Sequence, residues 1–126
     1  MKRSRFGFGL LLVLLILGAV SALWMVKATE PMSARMEQAG NAALDKDWDL
    51  AQRTAGDVRQ DWDRRFSFFA ALTDHEPMEN INGLFAQLEV YGQRRDPQGF
   101  AAVCAQLARD LEAIGEAHSL KWWNIF

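Results

Sequence analysis

Two hydrophobic patterns divide the chain. Phe6–Val26 reads FGFGLLLVLLILGAVSALWMV, 21 residues without a charge. As a helix rising about 1.5 Å per residue it is about 31 Å long, the thickness of a bilayer's hydrocarbon core. Only a helix satisfies its own backbone groups in lipid, so a helix is expected despite Gly7, Gly9 and Gly18. After this run the apolar residues become periodic. Trp48, Ala51, Ala55, Val58, Trp62, Phe66, Phe69 and Leu72 are spaced three or four apart, which predicts a helix over 47–72. Met78, Ile81, Leu84, Phe85, Leu88 and Tyr91 predict a second over 76–93. Phe100, Val103, Cys104, Leu107, Leu111 and Ile114 predict a third over 97–117. A weaker stripe of Met36, Ala39, Ala43 and Leu44 predicts a shorter helix over 34–44.

The breaks between these stripes carry turn and capping chemistry. Glu30-Pro31 predicts a bend or linker, because the residue before proline is pushed out of the helical region, and Ser33 is suited to cap the helix over 34–44. Asp45–Asp47 supplies caps for the next helix. Thr73-Asp74-His75-Glu76-Pro77 is a stop followed by a restart, with Thr73 or Asp74 as cap and Pro77 tolerable only in a first turn. Asp96-Pro97 pairs an N-cap with proline at the first helical position, and Arg94 and Arg95 suit the preceding helix's C-terminus. No segment alternates apolar and polar at strand length. The expected architecture is all-α: a basic segment at 1–5, a transmembrane helix at 6–26, a linker at 27–33, and a helical module at 34–126. Short loops make neighbouring helices antiparallel, as two hairpins over 34–72 and 76–117.

Charge orients the span. Lys2, Arg3 and Arg5 precede it, so the bias toward cytoplasmic cations keeps the N-terminus inside and sends the module across the cell membrane. Trp24 and Lys27 suit an interfacial anchor. The rival reading is a cleaved secretory signal, with Leu10–Leu17 as its apolar centre and cleavage after Ala22. Retention is preferred because apolar sequence continues through Leu23–Val26 to full spanning length. Beyond residue 26 the chain has 11 Lys and Arg against 16 Asp and Glu, a net charge of −5. That opposes nucleic acid or an anionic lipid surface as a partner, since both call for a basic patch. The single cysteine, Cys104, excludes an internal disulfide; among Phe100, Val103 and Leu107 it reads as a small buried apolar residue rather than an intermolecular link.

The order of features resembles a family of small bacterial membrane proteins, the domain of unknown function 4363. The resemblance rests on the basic start and single span, Trp48 and Trp62 on one helix, Asp74-His75, Asn80-Ile81, the Leu88/Tyr91 pair, and the ending Asn124-Ile125-Phe126. It departs from the family after the histidine, where Pro77, Met78 and Glu79 replace an acidic residue, an aliphatic residue and Asp. The resemblance implies a membrane-tethered helical protein and assigns no activity.

Candidate chemistry is sparse. Asp45-Lys46-Asp47-Trp48-Asp49 opens like a calcium loop, but Leu50 and Gly56 stand where glycine and a bidentate glutamate are required, so helix capping explains the acids. His75 and Glu79, one helical turn apart with Asp74 beside them, form the one candidate metal or acid–base set; its third ligand, His118 or Glu116, belongs at the far end of helix 97–117. The preferred role for His75 is structural, hydrogen-bonded and partly buried between the hairpins. Ser67 and Ser119 lack a nucleophile elbow or an oxyanion loop, and no glycine-rich run suits phosphate. Four of the last six residues are large and apolar: Trp122, Trp123, Ile125 and Phe126, with Lys121 and Asn124 among them. Three fates are open to this ending: closing the core, docking in a partner, or touching the membrane interface. The expectation is therefore a non-enzymatic single-pass protein that presents a helical interaction module to a protein partner or a second copy. It requires no cofactor and binds no nucleic acid. The alternatives are a metal-binding or hydrolytic protein centred on His75 and Glu79, or a secreted helical protein released after Ala22.

Overall fold

A computed structural model describes residues 2–72 and 75–125, with residues 22, 25, 72 and 117–125 described by their backbone only. Four helices succeed one another: α1 (Lys2–Leu44), α2 (Trp48–Leu72), α3 (His75–Arg94) and α4 (Pro97–Ile125). No strand occurs among the described residues. The fold is all-α, with a long apolar N-terminal helix and two helical hairpins. The last three helices begin within a residue of the positions that their caps and stripes predict.

Two turns of the same kind close the two hairpins, one between α1 and α2 and one between α3 and α4. Lys46 and Arg95 each take a left-handed backbone, with φ of 62° and 53°. At the first turn, Lys46 N–H donates to the Ala43 carbonyl and Asp47 N–H to the Ala42 carbonyl, both at 2.9 Å. At the second, Arg95 N–H donates to Gly92 at 3.2 Å and Asp96 N–H to Tyr91 at 3.1 Å. These paired bonds satisfy the last carbonyls of the finished helix. The aspartate then caps the next one: Asp47 Oδ1 accepts from Leu50 N–H at 3.3 Å, and Asp96 Oδ1 from Gly99 N–H at 3.0 Å. One residue thus closes one helix and opens another, which makes each reversal abrupt. Leu44, expected on the apolar side, is 52% exposed because the chain turns immediately after it.

The largest departure from expectation is at Pro31. Residues 27–33, read as a linker, are helical, and Pro31 lies inside α1 on its exposed side. An interior proline costs about 3 kcal/mol through its missing N–H and its clash with a carbonyl one turn back. Ala28, Thr29, Met32, Ser33 and Met36 are all buried around it. Each buried methionine contributes about 1.5–3 kcal/mol, so Met32 and Met36 together offset the proline. Ser33 accordingly does not cap a helix. Its hydroxyl donates at 2.9 Å to the Ala108 carbonyl on α4, joining α1 to α4 in the core.

The contact between α1 and α4 is the most extensive in the molecule; α1–α2 and α3–α4 come next, and α2–α3 touch least. Small residues bring the α1 and α4 backbones together, with Gly40 facing Ala101 and Cys104. A Cβ placed on Gly40 would lie 3.1 Å from Cys104 Cβ and 3.5 Å from the Ala101 backbone. The two helices are antiparallel, since Ser33 meets Ala108 while the later Gly40 meets the earlier Ala101. Continuing that register carries the end of α4 alongside the last turns of Phe6–Val26. There Gly18 is buried, although Leu17 and Val20 are each 57% exposed. This pairing explains why α4 does not stop at Ala117 as expected: its partner continues as helix. The buried residues of α1 from Ala28 to Ala43 and the apolar stripes of α2, α3 and α4 form one core, with Phe66, Leu84 and Tyr91 packed at its edge. The first half of α1 is long and apolar enough to cross a membrane, and its side chains from Phe6 to Val20 are almost all exposed.

Gly40→Val is expected to lower stability by about 1–3 kcal/mol, because the added methyl groups wedge α1 from α4. Gly83→Ala, mid-helix on α3 with nothing within 4 Å of the new Cβ, is expected to raise it by about 0.5–1 kcal/mol. Urea titration of the detergent-solubilised full chain monitored by circular dichroism measures both.

Candidate interaction groove

Because α2 and α3 touch least, an open groove of about 540 Å³ lies between them. Its apolar floor is Phe85 and Leu88 from α3 with Phe100 from α4, and its rim is Gln52, Arg59, Glu89 and Gln93. The helical period determines this division. Ala55 and Val58 turn toward the core, while Gln52 and Arg59 stand beside them on the edge of the same helix. Gly56 and Gly92 keep side chains out of the groove, and a Cβ on Gly92 would lie 3.3 Å from Gln52 Nε2 and 3.4 Å from the Phe100 ring. Gln52 Nε2 donates to the Gly92 carbonyl at 3.3 Å. The Arg59 guanidinium lies 5.7 Å from the Phe85 ring centroid and 4.0 Å from the Glu89 carboxylate. Both partners of that ion pair are exposed, at 46% and 65%, which makes it a weak tether of about 0–1 kcal/mol and leaves Arg59 free to re-pair. Toward the C-terminal end of α2, Trp62 Nε1–H donates at 2.8 Å to Asn82 Oδ1, bridging the two helices.

The residues singled out in the sequence separate into three groups. Trp48 and Trp62 are buried structural residues. Trp48 stacks edge-on against Phe100 at 5.5 Å, beneath the Arg95 guanidinium at 5.9 Å. Trp62 stacks on Phe69 at 5.3 Å. His75 and Glu79 are exposed on α3, so the partly buried position expected for His75 is not what the fold provides; it opens the helix one turn ahead of Met78, the first buried residue there. No group of three His, Cys, Asp or Glu side chains able to hold a metal occurs among the described residues. Asp74 and Phe126 lie outside the described residues. Trp122, Trp123, Asn124 and Ile125 continue α4, and their side chains lie outside the description. Asn82 and the groove itself had no sequence signal beyond one polar residue beside the Ile81 stripe.

Cys104 is fully buried, and burial pushes its thiol up to about 12. A thiol held protonated inside the bundle is a poor nucleophile, which agrees with its reading as a small apolar residue. In the unfolded chain it ionises near about 8.5. Its contribution to stability is therefore complete below that pH and declines as pH rises toward about 12. A maleimide reagent at neutral pH is expected to label Cys104 only as fast as the bundle opens, so labelling should accelerate with urea. Asn82→Ala is expected to cost about 1–3 kcal/mol by leaving the Trp62 indole N–H without its acceptor, measurable as a lower urea midpoint.

No curated protein and no solved structure matches this chain. One family model does, over residues 20–125, which takes in the last turns of the apolar segment and all of the helical bundle. With most of its length matched, the chain belongs to the family described as Domain of unknown function (DUF4363).

Proposed function

We propose that this is a non-enzymatic, single-pass membrane protein that holds a helical interaction module against the outer face of the cell membrane. Phe6–Val26 is the span, Met1–Arg5 stays in the cytoplasm, and the α2–α3 groove receives an amphipathic helix from a protein partner or a second copy. The observation that carries this reading is the continuity of α1. A single helix runs from the basic start, through the uncharged exposed segment, into the centre of the bundle. The module is thereby mounted on the span without a flexible joint, and its groove has a fixed height and orientation above the lipid. The groove's apolar floor and mixed polar rim match the helix-in-groove mode of recognition, in which buried apolar anchors supply affinity and the rim supplies register.

The exposure of His75 and Glu79 favours this reading over a metal-binding or hydrolytic protein centred on them. Release by cleavage after Ala22 would cut within α1, just ahead of Trp24, whose ring packs against Phe68 and Phe69.

Protease added to intact cells is expected to digest the module, while N-terminal sequencing of the native product should begin at or near Met1. A product beginning at Leu23 overturns the tether. A photocrosslinking residue at position 56, in the groove, is expected to capture a discrete partner in intact cells. The same residue at Ala86, exposed on α3, should capture none. Equal capture from both positions overturns the assignment of the groove.

A further inference from the structure

A second crevice, of about 280 Å³, lies where the apolar half of α1 enters the bundle. It is lined by Trp24, Lys27, Ala28, Pro31 and Arg35 from α1 and by Asp61 and Arg65 from α2. Three cations thus face one carboxylate. That carboxylate is already occupied: Asp61 Oδ2 accepts from the Arg35 guanidinium at 3.2 Å, and Asp61 Oδ1 from the Arg64 guanidinium. Lys27 makes no ion pair among the described residues, and Arg65 has a ring for a neighbour, its guanidinium standing 5.4 Å from the Trp24 ring centroid. The crevice therefore carries positive charge in excess, inside a module whose overall charge is −5.

Height along α1 identifies the anion. If Val26 ends the hydrocarbon segment, Lys27 comes immediately after it, Pro31 lies about 7 Å farther along the helix and Arg35 about 13 Å. The headgroup layer is about 5–7 Å deep on each side of the hydrocarbon core. Lys27 and the mouth of the crevice fall within that layer. Arg65, lying over Trp24, sits at its inner edge, where an uncompensated guanidinium is costly and an anionic partner is favoured. Phe68, 45% exposed and 4.3 Å from Trp24, sits at the same level as an aromatic suited to the interface. The summed negative charge of the module disfavours an anionic surface, but the fold gathers cations from two helices where the apolar half of α1 enters the bundle.

We propose that this crevice binds the phosphate of an anionic phospholipid in the leaflet from which the span emerges, with Lys27 and Arg65 as its cationic ligands and Trp24 and Phe68 at the acyl boundary. The inference rests on Phe6–Val26 being a membrane span. Lipid binding here would pin the base of the module, fixing the tilt of α1 and α2 against the membrane and with it the direction in which the groove faces.

The test uses the full chain in nanodiscs of equimolar phosphatidylglycerol and phosphatidylcholine, released into the gas phase for native mass spectrometry of the lipids retained. Retention of phosphatidylglycerol is expected to exceed that of phosphatidylcholine about thirtyfold, as two basic groups near a membrane surface would give. It should fall toward parity in Lys27→Gln/Arg65→Gln and persist in Arg53→Gln/Arg94→Gln, which removes the same charge elsewhere. Lys27→Gln alone, at an exposed residue, preserves the fold and should lose part of the preference. Equal retention of both lipids by the native chain, or an unchanged preference in the double variant, overturns the proposal. Protection of the solubilised chain by glycerol phosphate as strong as by the intact lipid overturns the assignment to a membrane lipid. Carbonate extraction of native membranes, run alongside, separates the two levels of inference. A chain released by carbonate sinks the span, whereas an embedded chain without lipid preference sinks the headgroup site alone.

Discussion

The close antiparallel contact between α1 and α4 is the constraint on which the rest of the molecule depends. Gly40 on one side and Ala101 and Cys104 on the other are small enough to let the two backbones approach, and the Ser33 hydroxyl adds a buried bond to the Ala108 carbonyl. Dispersion between closely packed atoms is individually small, but it accumulates along two helices that remain in register over many turns. That accumulated contact keeps α1 helical through Pro31. It also explains why α4 runs on to Ile125 instead of ending near Ala117.

Once α1 and α4 are paired, the two abrupt turns set the places of α2 and α3. Each turn uses a left-handed residue, Lys46 or Arg95, and an aspartate that serves both helices it joins. Both turns lie at the end of the bundle away from the apolar segment, where Trp48, Arg95 and Phe100 meet. The opposite end gathers Trp24, Trp62, Phe66, Phe68 and Phe69 beside the apolar segment. Because α1 and α4 hold the centre, α2 and α3 are each fastened to a hairpin partner more firmly than to one another. The groove between them is a consequence of that unequal packing, and the Trp62–Asn82 bond limits how far it opens.

A single helix passes from the apolar segment into the packed core, and the groove between α2 and α3 opens onto that core at Phe100. His75 and Glu79 are exposed at the start of α3, and burial holds the Cys104 thiol protonated.

The amino-acid order alone determined everything that depends on neighbours three or four residues apart. The uncharged run, the stripes on α2, α3 and α4, and the caps at Asp47 and Asp96 are local signals, and each reports its own helix. The family resemblance was legible for a related reason, since it rests on the order of such features along the chain. The tertiary structure decided whatever depends on partners far away in sequence. Glu30-Pro31 reads as a bend until Met32, Ser33 and Met36 are seen buried against other helices, and Ser33 reads as a cap until Ala108 stands opposite it. His75 reads as partly buried until α3 is seen to begin before its core. Summed charge reads as negative everywhere, yet Lys27 and Arg35 meet Arg65 only because α2 returns antiparallel to α1. Periodicity encodes which face of a helix is buried, whereas the choice of what covers that face is made by packing across the whole chain.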